Sequence, residues 1–348
     1  MKATIKDIAE YTNVSTATVS LVINNKGNIS ISTRERVIEA LKKFDYKKIP
    51  ATSVSSVLGH DTKTIKFLRI TKHGHVINRD HDVFIADYLE GMTQGAQDHG
   101  FKLEAYSFKH TDIDDIIRNT FNDDSTAGLI VLATELNEQD MQHFSEASFP
   151  VVFIDNYNEF LPFDFVDMDN SSSIHMAYDY VRSCGFTQIG FISSYTDTNN
   201  FKMRERAYRI ITDQETHIIQ VESTFDGAYQ DISNFLSNAE NEVMPVYLCA
   251  NDIMALGAMK AFKEHGYSLP DDVSLIGFDN LPQTQHVDPP LTTIAVSKRR
   301  IARIAVQQLK NHIEDPSAPT VRTLVGGRLI IRDSLKKQHQ TPNIFSQA

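Results

Sequence analysis

Between residues 4 and 46 the apolar positions, the hydroxyl caps and one asparagine are spaced so closely that they fit little besides three short helices. Thr4 with Asp7 three residues on makes a capping-box pair, and Ser32 with Glu35 makes a stronger one, since each hydroxyl accepts from an orphan amide. Ser15 stands where a second helix would begin, and Asn13 before it tolerates the left-handed backbone of a tight turn. Ile5, Ile8, Ala9, Val14, Val19 and Val22 can close a small core, with Val37, Leu41 and Phe44 recurring at helical spacing to lid it. Left outside on the second helix are Ser15, Thr16, Ala17, Ser20 and Leu21, short side chains that permit approach to base edges in a DNA major groove.

Charge points the same way. Residues 1–60 hold nine Lys/Arg and five Asp/Glu, a surplus of four positive charges on a chain whose net charge is −11, which leaves −15 for the rest. A basic head on an acidic body draws phosphates to one end only.

At 348 residues the chain is long enough for two or three domains. It has no run of 18 apolar residues, so no membrane span is expected, and the N-terminus runs straight into the capped helix with no signal peptide. Cys184 and Cys249 lie far apart in apolar surroundings, as reduced core residues of a cytoplasmic protein would. No Gly-x-Gly-x-x-Gly, Walker loop or Gly-x-Ser-x-Gly follows a strand pattern, so neither an enzyme nor a cofactor is expected.

Beyond residue 62, short apolar runs alternate with amphipathic stretches. Strand patterns fall at 65–70, 103–107, 128–133, 151–155, 189–193, 246–250 and 273–278, with helical patterns at 84–99, 174–184, 229–237 and 253–265. Such alternation argues for parallel sheets covered on both faces. Two sheets joined by crossovers would make a two-lobed body with a ligand cleft at the carboxyl ends of the strands.

Residues 4–46 resemble the headpiece of the lactose-repressor (LacI/GalR) family of bacterial transcription regulators. Thr4, Ile5, Asp7, Ile8 and Ala9 match its first segment. Val14, Ser15, Thr18, Val19, Ser20, Val22, Ile23 and Asn24 match its second, and Thr33, Arg34, Val37 and Ala40 its third. The likeness continues more loosely over nearly the whole chain. It implies a helix-turn-helix headpiece at 1–48, a hinge segment at 49–61 and a periplasmic-binding-protein-like body at 62–340. Lobe one would take about 62–160 and 293–320, and lobe two about 161–292 and 321–335. The crossings are then expected near Leu161 and Pro162 and near 292–296. A helix at 297–312 would pack on lobe one, and a final strand at 321–331 would close lobe two.

Carried over residue by residue, the resemblance makes Thr16, Ala17 and Leu21 base-facing. Thr4, Ser20, Asn24, Ser30, Thr33 and Tyr46 would hold phosphates, and Ser15 completes the DNA-facing set. Leu21 departs from the many relatives with arginine there: arginine bonds guanine bidentately, whereas leucine offers only apolar contact. In the hinge, Pro50 suits a first turn and Gly59 an end, but the Ser/Thr-rich middle has little helix propensity of its own. Relatives form this helix on operator DNA and wedge an apolar side chain into the minor groove. Here spacing favours Val57 and shape favours Leu58, and the inserted Lys47 and Lys48 leave the choice open.

The loops after the strands offer His73, the segment 78–84 with Phe84, and Asp155 on lobe one, then Arg204, Asn251, Asp252, Asp279 and Asn280 on lobe two. Carboxylates, amides and a guanidinium converging on a cleft suit a polyhydroxylated ligand. Each polar group left unpaired by the wrong stereochemistry costs roughly 1–3 kcal/mol. In sugar-sensing relatives the positions matching Arg204, Asn251 and Asp279 contact the sugar. Asp252 is expected instead to cap a helix starting at Ile253, and Asp155 and Asp279 have capping as an alternative role. Phe84, Phe201 and Phe225 are platform candidates, though each is expected in the core before the cleft. His73, His75 and His81 with Asp80 and Asp82 lack the spacing of a closed metal site, and no metal is expected. Lys66 and Arg69, within the first strand pattern, suit either a subunit interface or an anionic ligand. The expectation is a ligand-responsive, dimeric repressor of sugar-utilisation genes that binds a pseudopalindromic operator in double-stranded DNA with a carbohydrate in its cleft. The alternatives are control by a phosphorylated carrier protein and sensing of a nucleobase or sugar phosphate.

Overall fold

The computed structural model describes residues 4–23, 31–44, 63–72, 74, 82–109, 113–121, 125–213 and 216–336, and divides into units at 1–62 and 63–348. The first unit holds α1 (Ile5–Thr12), α2 (Thr16–Ile23) and α3 (Ile31–Lys43). Thr4 and Asp7 close the expected capping box, and Asn13 ends α1 in the left-handed region at φ 52°. Ser15 Oγ accepts from the Thr18 amide at 3.0 Å and starts α2. Ile8, Ala9, Val19, Val22, Val37, Ala40 and Leu41 are buried together, flanked by Ile5, Val14 and Phe44. Tyr11 meets Phe44 edge to face at 5.2 Å and accepts from the Lys43 ammonium at 2.8 Å, tying α1 to the end of α3. The third helix begins at Ile31, with Ser32 in its first turn, and the side chains of Ser32 and Glu35 lie outside the described residues.

In the second unit one sheet comprises β1 (Thr64–Thr71), β2 (Lys102–Lys109), β3 (Thr126–Leu132), β4 (Val151–Ile154), β5 (Asp164–Met168) and β11 (Arg322–Val325). Its order is β11-β5-β4-β3-β1-β2, all parallel. The other comprises β6 (Gly190–Ser194), β7 (Ile218–Val221), β8 (Val246–Cys249), β9 (Ser274–Asp279), β10 (Thr292–Ala295) and β12 (Arg328–Ile330). Its order is β12-β10-β9-β8-β6-β7, with β12 alone antiparallel. The intervening helices are α4 (Asp82–Asp98), α5 (Ile113–Phe121), α6 (Glu138–Gln142), α7 (Asn170–Ser183), α8 (Asn199–Ile211), α9 (Phe225–Ser237), α10 (Asp252–Glu264) and α11 (Lys298–Glu314). β1, β3, β4, β8 and β9 are buried along almost their whole length, as strands covered on both faces must be.

The crossings differ from expectation in three places. The chain does not leave the first sheet near Leu161, because Asp164–Met168 still pairs with β4 and the crossing follows Met168. Residues 292–295 are not yet a return but a full strand of the second sheet, after which α11 packs on β3, β4 and β5 of the first. The single closing strand is two, broken at Gly326 and Gly327, with β11 on the first sheet and β12 on the second. Close packing forces the second glycine: a Cβ there would lie 2.7 Å from both Ile294 Cγ2 and Ser173 Oγ. The polar pair of acids in β5 hid that strand from a periodicity reading.

α4 and α11 pack face to face, rimmed by Arg299 to Asp87 and Glu90 (3.0 Å each) and Arg303 to Asp98 (3.1 Å). Gly91 allows the approach, since a Cβ there would stand 2.5 Å from the Arg299 carbonyl oxygen. Gly91→Ala must push the two helices apart and is expected to cost about 1–3 kcal/mol by urea unfolding, against helix propensity, which alone would favour alanine. An unchanged or raised midpoint would refute this packing account.

Candidate nucleic-acid face and effector cleft

On α2, Thr16, Ala17 and Leu21 are exposed, the last at 37%, while Ser20 is half-buried and Val19 and Val22 face the core. A helix with one face locked and three successive outward positions free to approach a duplex has the form required for groove insertion. Thr4 and Ser15 are exposed too, though both hydroxyls already serve as caps, Thr4 Oγ1 also donating to Asp7 Oδ2 at 2.8 Å. Thr33 lies half-buried on α3. Asn24, Ser30, Tyr46, Val57, Leu58 and His73 lie outside the described residues, as does the side chain of Phe84, whose backbone belongs to α4.

In the body the predicted residues converge where the two sheets' carboxyl ends meet. Asp155 ends β4 at φ 59°, and Asp279 and Asn280 end β9 at φ 116° and 54°, three non-glycine residues in a costly region of backbone space. Arg204, 3% exposed, reaches from α8 into this junction. Its Nε donates to Asn170 Oδ1 at 2.8 Å, its Nη1 to the Ala250 carbonyl at 2.5 Å, and its Nη2 faces Met168 Sδ at 2.8 Å. The guanidinium carbon lies 3.7 Å from the Phe278 ring centroid, a cation–π contact with the ring that precedes Asp279. Burial works against its charge, and the nearby carboxylates of Asp279, Asp155 and Asp167 work for it.

Asp155 accepts from Tyr88 at 3.2 Å and from the Thr134 hydroxyl, so it is no helix cap. Burial raises its carboxyl to about 6. Asp167, in β5, is fully buried and pushed well above the usual carboxylate range by burial and then by Asp155. Lys298 at the start of α11 donates to the Asp279 carbonyl at 3.1 Å and stands 4.0 Å from its carboxylate. Asn199 and Asn200, at the head of α8, bond back to the first sheet's loop. Asn199 donates to Asn156 Oδ1 (3.0 Å) and the Tyr157 carbonyl (2.8 Å), and Asn200 to the Asp155 carbonyl (3.1 Å).

One assignment is corrected, and the core reading of two rings holds. Asn251, not Asp252, caps α10, accepting from the Met254 amide at 2.8 Å, so its carbonyl oxygen is committed to the fold. Asp252 is the first helical residue and clamps the next loop, accepting from the Leu281 amide (2.7 Å) and Thr293 Oγ1 (2.5 Å). Phe201 is core, and Phe225 packs half-buried against it, so neither presents a free ring. Sequence reasoning missed Tyr88, Asp167, Asn170, Asn200, Phe278 and Lys298. Phe278, directly before Asp279, stood next to a residue the sequence singled out, and Asn170 follows Asp169, the N-cap of α7. Among the described residues no helix is long and apolar enough to cross a membrane, and no group of His, Cys, Asp or Glu is placed to hold a metal.

Residues 4–48 match the model of bacterial regulatory proteins of the lacI family, and residues 178–335 match a periplasmic binding protein-like domain. An HTH-type transcriptional repressor PurR of Mannheimia succiniciproducens is 28% identical over 96% of this chain and 99% of its own. The one from Aliivibrio salmonicida is 29% identical over 90% and 93%. The fold is shared with the lac repressor dimer bound to operator and the anti-inducer ONPF (TM-score 0.70, 21% identity, 97% of this chain and 100% of that one). It is also shared with a CelR-cellobiose complex (TM-score 0.68, 20% identity, 95% and 99%). A LacI family regulator from Enterococcus faecalis with bound ribose matches at TM-score 0.66 and 20% identity, over 79% of this chain and 100% of that one.

Asp252 makes the junction sensitive to pH. Burial lifts its carboxyl to about 8 from an ordinary 3.8, so folding takes up a proton between those values. The native protein therefore loses stability as pH rises across that window, by up to about 1.4 kcal/mol per pH unit. Asp252→Asn removes the titration, and its urea midpoint relative to wild type is expected to climb steadily from pH 5 to 8. A difference that stays flat with pH contradicts the buried-acid account.

Proposed function

We propose, for a chain that belongs to the LacI family of bacterial regulatory proteins and is a DNA-binding transcriptional repressor with an effector-binding body, that its effector is a carbohydrate held between the two sheets. The observation that carries this reading is the Arg204 network. One buried guanidinium links α8, the end of β8 and the crossing after β5, with acceptor-rich Asp155 and Asp279 beside it. Hydroxyl pairs donate well to such carboxylates. Cellobiose and ribose in two neighbours of the same fold support the class. Asp155, Arg204 and Asp279 are the proposed contacts, with His73 and Phe84 from the first sheet's side. Asn251 offers only its amide nitrogen.

Lys66 is buried in β1 with its ammonium 5.7 Å from the Tyr106 ring on β2. A symmetric homodimer in the cytoplasm is the proposed working state, with paired headpieces on a pseudopalindrome. The domain plan is a headpiece at 1–48, a hinge at 49–61 and a body from 62, with closure of the lobes biasing hinge-helix formation. Coupling of about 1–3 kcal/mol would switch operator affinity 5- to 150-fold. A thermal-shift screen of sugars, sugar phosphates and nucleobases tests the class: a neutral sugar should stabilise the protein, and stabilisation by nucleobases alone would overturn it.

Thr16, Ala17 and Leu21 are the proposed base readers. Operator selection from random DNA should recover no required guanine at the half-site position facing Leu21. Leu21→Arg should introduce one, with discrimination of about 1–3 kcal/mol. A strict guanine in the wild-type operator would remove Leu21 from the reading face.

A further inference from the structure

Asp167 lies near the end of β5, next to Met168, whose sulfur faces Arg204. β4 and β5 run parallel, with Ile154 opposite Val166, so the next rung sets Asp155 beside Asp167 at the carboxyl edge of the first sheet. Both are almost fully buried, at 2% and 0% exposure. Asp155 is held by Tyr88 from α4 and by Thr134 after β3. Asp167 has a long contact from Asn170 at 3.4 Å on one oxygen, and its Oδ1 has no hydrogen-bond partner among the described residues. A buried oxygen left this way is costly unless a donor reaches it.

The surrounding charges say what kind of donor. Around the junction four carboxylates (Asp155, Asp167, Asp252 and Asp279) stand against two cations, Arg204 and Lys298, all buried. The cations are occupied: Arg204 with Asn170, Ala250 and Met168, Lys298 with Asp279. Burial favours protons on these acids, and an ammonium can take a proton's place there, whereas an anion cannot.

We infer that the effector carries an amine, and that an aminated carbohydrate sets its ammonium against the Asp155 and Asp167 pair while its hydroxyls meet Asp279. This rests on the carbohydrate reading of the cleft and narrows it. Burial raises both carboxyls, which favours a proton held between them in the free protein. On binding, the ligand's R–NH3+ replaces that proton, which passes to the buffer. Apart from that proton transfer, no covalent bond forms or breaks.

The test is titration calorimetry on the full chain. Glucosamine, galactosamine and mannosamine are each compared with the parent hexose, with glucose 6-phosphate and with adenine, in two buffers of different ionisation enthalpy at pH 7. An amino sugar should bind at least about tenfold tighter than its parent and release protons to the buffer. Asp167→Asn, an isosteric change, should abolish that preference and leave the parent's affinity within about twofold. The proton count is read on the wild type and stands whether or not the variant folds. If parent hexoses bind as tightly as their amines, or the amines bind without releasing protons, the inference fails and the carbohydrate reading stands. If adenine alone binds, the carbohydrate reading falls and this inference with it.

Discussion

A guanidinium taken out of water must be paired on nearly every side, and in this body that demand falls on elements distant in sequence. Arg204 is satisfied only if the crossing after Met168 puts Asn170 at its Nε, β8 ends with the Ala250 carbonyl at its Nη1, and Phe278 lies under its plane. Each of those groups belongs to a different strand or crossing, so the cation acts as a gauge of whether both sheets are in register. Removing it would leave carboxylates whose burial is tolerated largely because of its charge. The truncation cost of such a pair usually exceeds what the pair contributes, because the partner is left uncompensated.

The same logic explains the backbone. Asp155, Asp279 and Asn280 all sit at positive φ, at a cost of order 1–3 kcal/mol each, at the two strand ends that face the junction. Glycine would relieve the strain but carry no carboxylate. Side chain and conformation are retained together only where the surroundings over-determine them, as Tyr88, Thr134 and Lys298 do here. Strain and unpaired acceptors therefore coincide at one place in the body.

How much of this was readable beforehand follows from what each signal depends on. The headpiece was legible because its cues are local: Thr4 and Asp7 are three residues apart, Asn13 needs only its own φ, and Val19 and Val22 mark one face. The strands with purely apolar runs were equally plain. β5 was not, since Asp164 and Asp167 break its pattern, and their burial depends on His312, Val321 and Asn170 reaching them from elsewhere. The highly charged segment of α8 hid a helix whose buried face includes Phe201, Arg204, Ala207 and Tyr208. Asp155, Arg204 and Asp279 were found by their place after strand or helix motifs. Asp167, Asn200 and Lys298 could not be, because their importance comes from a crossing predicted several residues too early. The swap between Asn251 and Asp252 is a one-residue boundary error that changes which side chain is committed to a helix cap.

The two units also differ in how their stability is supplied. Among its described residues the headpiece has seven buried apolar side chains, two of them alanines, and a domain of this size buries too little surface to be more than marginally stable. Each cap on α1 and α2 is worth about 1 kcal/mol, a large share of so small a total. The body has two full sheets and can carry buried charge and positive-φ strain without risk to its fold. A marginal reader gains the most, in proportion, from any partner that binds only its folded form, since such binding adds RT ln(1 + [L]/Kd) to its stability. A sturdy sensor can afford an acid-rich junction whose charges are balanced only with a proton or a ligand in place. The division of chemistry between the units thus follows the division of core, with base reading placed where binding itself completes the fold and effector recognition where the fold can bear unpaired acceptors.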